Sequence, residues 1–471
     1  MKIAFATAEL APLAHVGGLG DVSRWLPTTL AEAGDDVRVF LPRYGSLETE
    51  GTIETVVPGL EEIDLVGLGT AAVTTLGGPG PEVLLVDAPQ WFSGDIYAPG
   101  HDEHIRYAAF CTAVLAACDA LGWAPDVIHA NDWHTALLPL HAGARGGHWP
   151  VVPVVLTIHN LAYQGWFPQS DLERMGLDAN HAALDEQGGR INSLRAGILS
   201  AALVTTVSPT YAAEIVTPQH GEGLDDVLRE RQKELVGVLN GIGSEWDPST
   251  DPYLPSTYSP STLDIKTESK AALRDRLGLV HRDGVPVLGV VSRLAEQKGF
   301  SLFKRTLPRL LEDGRVQLAV IGRGDSALEA MFQSFAKRFP SDAGYHDGFD
   351  PELAHLVEAG SDIFLMPSQW EPCGLNQMYS LHYGTVPVVH RTGGLADTVT
   401  EWDPISGVGT GFLFDQFSET GFGAALSIAL QSFGDTEAWR TLQRNGMAED
   451  FSWTRRAGEY REIYERAISS Q

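Results

Sequence analysis

The sequence is poor in lysine and carries far more acidic than basic residues. Its 471 residues include 61 Asp and Glu against 33 Lys and Arg, and only seven of the basic residues are lysines. The formal net charge is −28 at pH 7 with His neutral. Such a charge repels a phosphate backbone. The charge therefore argues against nucleic acid as a partner, whereas an uncharged polymer is compatible.

The chain also has few cysteines and no long apolar run. Cys111, Cys118 and Cys373 form neither a disulfide framework nor a zinc-ligand spacing. Cys111 and Cys118 lie in an apolar helical stretch and are predicted to be core residues. No run reaches the roughly 20 apolar residues of a membrane-spanning helix, and the N-terminus is predicted to be a strand rather than a signal peptide. We expect a cytoplasmic protein with no membrane partner.

Apolar runs rich in β-formers alternate with helical patterns, which predicts parallel sheets with crossover helices. The length exceeds the roughly 250–300 residues at which single cores split, so two domains are expected. The predicted strands of the first half are Lys2 to Ala8, Asp36 to Leu41, Val83 to Asp87, Val127 to Ala130, Val151 to His159 and Leu203 to Ser208. Those of the second half are Val287 to Ser292, Val316 to Gly322, Ile363 to Pro367 and Val386 to Arg391.

The predicted domains are residues 1–246 and 261–450, joined by a linker at 247–260 and followed by a C-terminal helix at 451–471. The linker prediction rests on a stretch rich in Pro and Ser with little periodicity. Ligands of open α/β sheets bind beyond the carboxyl ends of the strands. We therefore expect the functional residues on loops that follow strands, in a cleft between the domains.

Two cations and a carboxylate lie on such loops. Arg293 and Lys298 occur in Ser292-Arg-Leu-Ala-Glu-Gln-Lys-Gly299, and Glu371 begins Glu371-Pro-Cys-Gly-Leu-Asn-Gln-Met-Tyr379. Both cations stay protonated at neutral pH and can neutralise a diphosphate, while a carboxylate can accept hydrogen bonds from sugar hydroxyls. Alone, such a spacing also fits a solvated surface.

A glycine loop follows the first predicted strand, in Val16-Gly-Gly-Leu-Gly-Asp21, with a helical pattern from Val22 to Ala33 behind it. Glycines let backbone N–H groups approach a phosphate, and the start of a helix attracts negative charge. The alternative is a tight strand-to-helix turn with no ligand.

Together with further motifs, these residues give the chain a close resemblance to the bacterial glycogen synthases and plant starch synthases, from the first strand to Phe451-Ser-Trp453. The further motifs are His129-Ala-Asn-Asp-Trp-His134, Thr157-Ile-His-Asn-Leu-Ala-Tyr-Gln-Gly165, Val207-Ser-Pro-Thr-Tyr211, Leu239-Asn-Gly-Ile242 and Arg391-Thr-Gly-Gly-Leu-Ala-Asp-Thr398. The resemblance implies the GT-B fold, in which two Rossmann-like doubly wound domains face each other across a deep cleft. It also implies that the last helix returns to the N-terminal domain.

The resemblance implies a retaining transfer of glucose from ADP-glucose to the nonreducing end of an α-1,4-glucan such as glycogen, with UDP-glucose as the alternative donor. Arg293 and Lys298 match the family's diphosphate-binding cations, and Glu371 its essential carboxylate. His159 matches a residue near the donor glucose. The other matched positions are Gly17, Gly18, Cys373, Gly374 and Leu375 around the diphosphate, Tyr345 at the base, and Asn240, Asp132 and Asp21 near the sugar or acceptor. Asp132 could equally cap a helix.

One position departs from the family. The synthases usually have Lys-x-Gly-Gly before the glycine loop, and this chain has His15-Val-Gly-Gly18. A histidine titrates near pH 6.5 when unperturbed. His15 is thus expected at the nucleotide-sugar site as a cation that depends on pH.

Two rival interpretations remain open. A sucrose- or trehalose-type transferase of the same fold is disfavoured by Tyr379, where enzymes with small acceptors often carry a second carboxylate. It is also disfavoured by the aromatic set Trp133, Tyr163 and Trp166, which is suited to stacking on glucan rings. A noncatalytic glucan-binding relative is supported only by the missing lysine at position 15.

We predict that transfer activity is unchanged by EDTA, because no metal-ligand cluster is visible in the sequence and Arg293 and Lys298 can carry the diphosphate without a cation. The comparison is of initial rates with and without excess chelator. Activity lost with EDTA and restored by Mg²⁺ would contradict the expectation of no metal or cofactor.

Overall fold

The computed structural model describes residues 1–47, 54–78, 80–97, 100 and 102–470, in two compact units. Unit 1 consists of Met1–Gly241 and Ser452–Gln471, and unit 2 of Ile242–Phe451. Among the described residues, none of the helices combines the length and apolar character that crossing a bilayer requires.

Unit 1 is built on one large sheet whose central strands are all parallel. Its strand order is β12-β11-β8-β7-β1-β2-β6-β5-β3, with β4 beside β5, and β9 and β10 form a separate antiparallel ribbon. The strands are β1 (Lys2–Ala6), β2 (Asp36–Pro42), β3 (Glu54–Val56), β4 (Ile63–Asp64), β5 (Thr70–Leu76), β6 (Glu82–Asp87), β7 (Val127–Asn131), β8 (Val154–Ile158), β9 (Trp166–Pro168), β10 (Arg190–Asn192), β11 (Leu203–Thr206) and β12 (Leu235–Gly237). Every residue of β7 and β8 is buried, as expected for strands covered on both faces.

The helices of unit 1 cover this sheet. They are α1 (Gly18–Glu32), α2 (Pro89–Phe92), α3 (Glu103–Ala120), α4 (Asp132–Thr135), α5 (Leu138–Arg145), α6 (Ser193–Ser200), α7 (Pro209–Glu214) and α8 (Asp225–Glu230). Cys111 and Cys118 are free and buried on α3, which confirms them as core residues, and burial raises the pKa of both thiols.

Unit 2 contains a six-stranded, fully parallel sheet in the order β15-β14-β13-β16-β17-β18. The strands are β13 (Val287–Val291), β14 (Gln317–Gly322), β15 (Ala343–Asp347), β16 (Ile363–Met366), β17 (Val386–His390) and β18 (Phe412–Phe414). The helices are α9 (Lys266–Leu277), α10 (Phe303–Glu312), α11 (Ser326–Arg338), α12 (Pro351–Gly360), α13 (Asn376–His382), α14 (Gly393–Thr398), α15 (Glu419–Phe433) and α16 (Thr436–Met447). This is the doubly wound order of dinucleotide-binding domains, so the predicted α/β class is confirmed.

The division between the units differs from the sequence prediction. It falls at Gly241 and Ile242, and the predicted linker 247–260 lies within unit 2. Asp251 and Tyr258 of this segment are buried. Asp251 accepts a hydrogen bond from the Tyr383 hydroxyl and lies 2.8 Å from His355 Nδ1, and the Tyr258 hydroxyl donates to the Tyr383 carbonyl. A composition rich in Pro and Ser predicts irregular backbone, but it does not exclude packing.

The C-terminal helix α17 (Trp453–Ser469) belongs to unit 1. Its Tyr464 hydroxyl lies 2.6 Å from Nδ1 of the buried His129, whose Nε2 lies 2.7 Å from Thr157 Oγ1 on β8. Arg461 of the same helix pairs with Asp35 at 3.4 Å. Contacts with residues hundreds of positions away thus hold the end of the chain on this sheet.

Several histidines are buried in unit 1, and burial keeps them neutral. It lowers the pKa of His129 and His134 to about 3 and that of His141 to about 4. In the unfolded chain these side chains titrate near the usual 6.5. Between these values the unfolded state binds more protons than the folded state, so stability falls as pH falls below 6.5.

We therefore expect the free energy of unfolding of the His141→Gln variant to fall less than that of the parent chain as the pH is lowered from 7 to 5. One such histidine contributes at most about 1.4 kcal/mol per pH unit. Urea denaturation at each pH measures the effect. The exposed His148 is the control position, and we expect His148→Gln to have the same slope as the parent chain. Equal slopes for His141→Gln and the parent chain would contradict the assignment.

Candidate active site

In each unit the winding of the sheet reverses between two neighbouring strands, β1 and β7 in unit 1 and β13 and β16 in unit 2. Connections leave the carboxyl ends of these strands in opposite directions, and ligands of open α/β sheets bind in the crevice that results. The predicted residues of unit 1 that follow β1, β7, β8 and β12 are His15, Gly17, Gly18, Asp21, Asp132, His159 and Asn240. Those of unit 2 that follow β13 and β16 or lie in β15 are Arg293, Lys298, Glu371, Cys373, Gly374, Leu375 and Tyr345.

The glycine loop after β1 is organised by Glu9, which the sequence analysis did not identify as a site residue. Its buried carboxylate accepts hydrogen bonds from the Val16 and Gly17 N–H groups, both at 2.8 Å, and from the Tyr97 hydroxyl. The Gly17 amide, predicted to face an anion, is thus already bonded to an acidic side chain. The position of a carboxylate directly after the first strand was the available signal.

His15 lies at the surface of this loop, and Asp21 in the first turn of α1 lies beside it. His15 Nε2 is 3.5 Å from Asp21 Oδ2, and the His15 side chain is 40% exposed. The hydrogen bond to Asp21 is the main cause that raises the pKa of His15, and the charges of Asp21 and Glu9 act in the same direction against the effect of burial. His15 therefore remains a cation to a higher pH than an isolated histidine.

The loops after β7 and β8 are joined through Asp132. Its carboxylate accepts hydrogen bonds from the N–H groups of His159 at 2.7 Å and Asn160 at 3.4 Å, and burial raises its pKa to about 7. Asp132 has a positive φ of 54°, which is uncommon outside glycine. A backbone angle of this kind is typical of functional positions. The N-cap of α4 is Asn131, so the alternative of Asp132 as a helix cap is wrong.

The protonation of His159 follows from its partner. Asn131 donates through Nδ2 to the Ala6 carbonyl at 3.0 Å, which turns its Oδ1 towards His159 Nε2 at 2.9 Å. An amide oxygen only accepts, so His159 carries its proton on Nε2. Burial lowers the pKa of His159 to about 3. The ring is neutral at physiological pH and contributes hydrogen bonds, not a fixed charge.

The other residues predicted to be functional in unit 1 differ in their exposure to solvent. Asn240 is buried after β12, and its Oδ1 has no hydrogen-bond partner among the described residues. Of the aromatic set, Tyr163 and Trp166 are 60% and 37% exposed, but Trp133 is buried against Tyr107. The expectation that Trp133 stacks on a sugar is therefore wrong, because its ring is part of the core.

In unit 2 the predicted carboxylate and one predicted cation form an ion pair. Lys298 Nζ donates to Glu371 Oε2 at 2.6 Å, and the Ser368 hydroxyl donates to the same oxygen at 2.8 Å. Glu371 is only 6% exposed. A buried carboxylate needs such compensation, and charge-assisted bonds also fix its orientation.

Two glycines allow the loops around this ion pair to approach each other. Gly299 has a φ of 74°, and a Cβ there would lie 1.9 Å from the Pro367 carbonyl oxygen. Gly393, at the start of α14, has a φ of 42°, and a Cβ there would lie 1.9 Å from the Glu371 carbonyl oxygen. The first pair of loops is also joined by the Gln369 N–H, which donates to the Gln297 carbonyl at 2.8 Å. Lys298 and Glu371 are thus held by backbone contacts.

Most of the other predicted residues of unit 2 lie close to Lys298 or Glu371 in sequence, and Tyr345 lies on β15. Arg293 is exposed, and its guanidinium makes no ion pair within the described part of the protein. Cys373 is buried, and Gly374 and Leu375 directly precede α13, whose first N–H groups attract anions. The Tyr345 hydroxyl donates to the Gly322 carbonyl at 3.0 Å, and its partly exposed ring stacks on Phe332.

The arrangement suits an anionic leaving group attached to a polyol. Arg293 and Lys298 supply positive charge, and Glu371 supplies hydrogen-bond acceptors. The described residues contain no group of three or more His, Cys, Asp or Glu side chains that could hold a metal ion.

Comparison with known proteins identifies relatives over the whole chain. Residues 2–230 match the family described as starch synthase catalytic domain, and residues 274–444 match glycosyl transferases group 1. The chain is similar to the glycogen synthase of Thioalkalivibrio sulfidiphilus, with 44% identity over all of both chains. It is also similar to that of Paracidovorax citrulli, with 43% identity over 98% of this chain and 94% of the other.

Solved structures agree with these matches. The catalytic domain of starch synthase IV from Arabidopsis thaliana, bound to ADP and acarbose, superposes with a TM-score of 0.89 and 32% identity over 99% of each chain. Sucrose-phosphate synthase from Thermosynechococcus elongatus superposes with a TM-score of 0.63 over the full length of both, at 16% identity, which shows the fold alone. The predicted GT-B fold is confirmed.

Proposed function

The chain belongs to the glycogen and starch synthase family of glycosyltransferases, and on this premise we propose that it transfers glucose from ADP-glucose to the nonreducing end of an α-1,4-glucan, with retention of configuration. The observation that carries the proposal is the Lys298–Glu371 ion pair at the switch point of unit 2, with Arg293 on the same loop as Lys298.

The roles follow from the charges. As the bond between sugar and diphosphate lengthens, negative charge grows on the leaving group, and Arg293 and Lys298 stabilise it. Glu371 holds sugar hydroxyls through its carboxylate, which Lys298 and Ser368 keep in one orientation. His159 is neutral and acts by hydrogen bonding near the donor sugar.

Support for the donor and acceptor comes from the relatives. The Arabidopsis starch synthase IV domain is bound to ADP, a nucleoside diphosphate, and to acarbose, an oligosaccharide analogue. We therefore propose ADP-glucose as the preferred donor, with UDP-glucose as the alternative. Tyr345 is proposed to contact the base, and the exposed Tyr163 and Trp166 to contact glucan rings.

Incorporation of labelled glucose into glycogen, from ADP-glucose and UDP-glucose in parallel, tests the proposal. We expect the faster rate from ADP-glucose and a loss of about 100-fold or more in Glu371→Gln, which keeps the shape of the side chain but removes its charge. Glu296→Gln is the matched control, since Glu296 is exposed on the loop that carries Lys298. No incorporation from either donor, with intact glycogen binding, would instead indicate a noncatalytic glucan-binding protein.

The histidine at position 15 gives the enzyme a pH-dependent donor affinity. Because Asp21 raises the pKa of His15, the imidazolium persists above pH 6.5 and is lost as the pH rises further. We expect the KM for ADP-glucose to rise from pH 6.5 to pH 8.5 in the parent chain and to stay level in His15→Lys.

Asp21→Asn provides a second test of this assignment. It removes the hydrogen-bonding carboxylate, so the rise in KM should begin at a lower pH. If the KM of the parent chain and that of His15→Lys depend on pH in the same way, the assignment of His15 to the donor site is contradicted.

A further inference from the structure

Unit 2 contains a cavity of about 360 Å³ that includes none of the proposed active-site residues. It lies among α9, α15, α16 and the segment that leads into β16. Its volume falls within the roughly 300–1,000 Å³ typical of small-molecule sites. The side chains that matter for its chemistry are Lys266, Lys270, Asp362, Phe433, Trp439 and Arg440.

The cavity is basic in a strongly acidic protein. It is lined by Lys270 and Arg440, by Lys266, whose pKa burial lowers to about 7, and by one carboxylate, Asp362, whereas the whole chain carries a formal charge of −28. Only seven lysines occur in the sequence, and two of them, Lys266 and Lys270, lie one turn apart on α9 and face this cavity. Lysine and arginine side chains around one space are suited to an anionic ligand, although Lys270 and Arg440 each also have a carboxylate partner.

The three cations have different capacities for a ligand. Lys266 donates to the Ala359 carbonyl and to Thr385 Oγ1, both at 2.6 Å, and to the Glu358 carbonyl at 3.4 Å, so it forms part of the wall. Lys270 pairs with Asp362 at 2.7 Å and donates to the Val285 carbonyl at 3.0 Å. A lysine has three donors, so one N–H of Lys270 remains.

Arg440 lies at the edge of the cavity. Its protein partner is Asp264, whose side chain is 95% exposed. Exposed ion pairs contribute little to stability. A guanidinium held only by such a pair can turn towards a ligand at small cost.

The aromatic residues add a buried donor and an apolar wall. Trp439 is 5% exposed, and its Nε1 has no hydrogen-bond partner among the described residues. A buried N–H without a partner is costly, and a ligand acceptor would satisfy it. The ring of Phe433 lies 5.2 Å from that of Trp439, and Lys270 Nζ lies 5.5 Å from the Phe433 ring.

We propose that this cavity binds a small phosphate-bearing metabolite, with the phosphate held by Lys270, Arg440 and the Trp439 Nε1–H and the organic part against Phe433. Lysine and arginine together are suited to a multiply charged phosphate, and the Trp N–H supplies a directed bond. The site is separate from the donor site and does not depend on the proposed transfer reaction.

Isothermal titration of the full chain with inorganic phosphate and with glucose 6-phosphate tests this proposal. Ionic strength is held constant with chloride, and the cavity variants distinguish this site from the diphosphate site. We expect saturable binding that is weakened about tenfold or more in Arg440→Gln, which removes a charge-assisted contact. Tighter binding of glucose 6-phosphate than of phosphate would support an organic phosphate as the ligand, and equal binding would contradict the proposed contact of the organic part with Phe433.

Two further variants locate the binding. Thr267→Trp places a large side chain at the cavity wall and should abolish binding. Arg309→Gln removes the same charge from an 89% exposed position outside the cavity and should leave binding unchanged. The melting temperature of each variant without ligand establishes that it is folded. Absence of saturable binding, or binding that persists in Arg440→Gln or Thr267→Trp, would overturn the proposal.

Discussion

The structure depends on one constraint, which is that parallel strands cannot be joined by tight turns. Each connection must cross the sheet, so every strand of the parallel sheet in unit 2 ends at the same edge. In both units the chain adds strands first on one side of the first strand and then on the other. In unit 2 this makes β13 and β16 neighbours, so the loops that follow them lie side by side. Lys298 and Glu371 meet there at 2.6 Å although 73 positions separate them in the chain. The same geometry joins Asp132 and His159 in unit 1.

Burial decides the charge of the groups that these edges bring together. His159 is neutral and Asp132 has a pKa raised to about 7, because burial penalises the charged form of each. Glu371 is also buried, but Lys298 lies against it. A buried charge is tolerated only with such compensation. Asp132 can therefore change protonation near neutral pH and His159 acts as a neutral group, while Lys298 and Glu371 form an ion pair.

Sequence patterns located most of the parallel strands but missed the edge strands β12, β15 and β18 and the strands that pair only in the antiparallel direction. The predicted strand Val287 to Ser292 is observed as Val287–Val291, because a continuous apolar run marks a strand that is buried on both faces. The strands that were not predicted are β3, β4, β5, β9, β10, β12, β15 and β18. Most of them have only two or three residues, which carry no period to detect, and such strands exist because a partner strand lies beside them. Trp133 was predicted to be exposed but is buried, because an aromatic residue in a sequence motif can pack in the core as well as lie at the surface.

The sequence by itself determined the sign of the surface charge, the alternation of strand and helix, and the order of motifs that identifies the family. These are local or compositional properties. Only the tertiary structure decided that Glu9 occupies the glycine-loop amides, that His159 carries its proton on Nε2, and that two of the few lysines line one cavity. Each of these facts depends on side chains that the backbone path brings within hydrogen-bonding distance or around one space. Such distances are set by sheet register and packing, which no single segment of sequence contains.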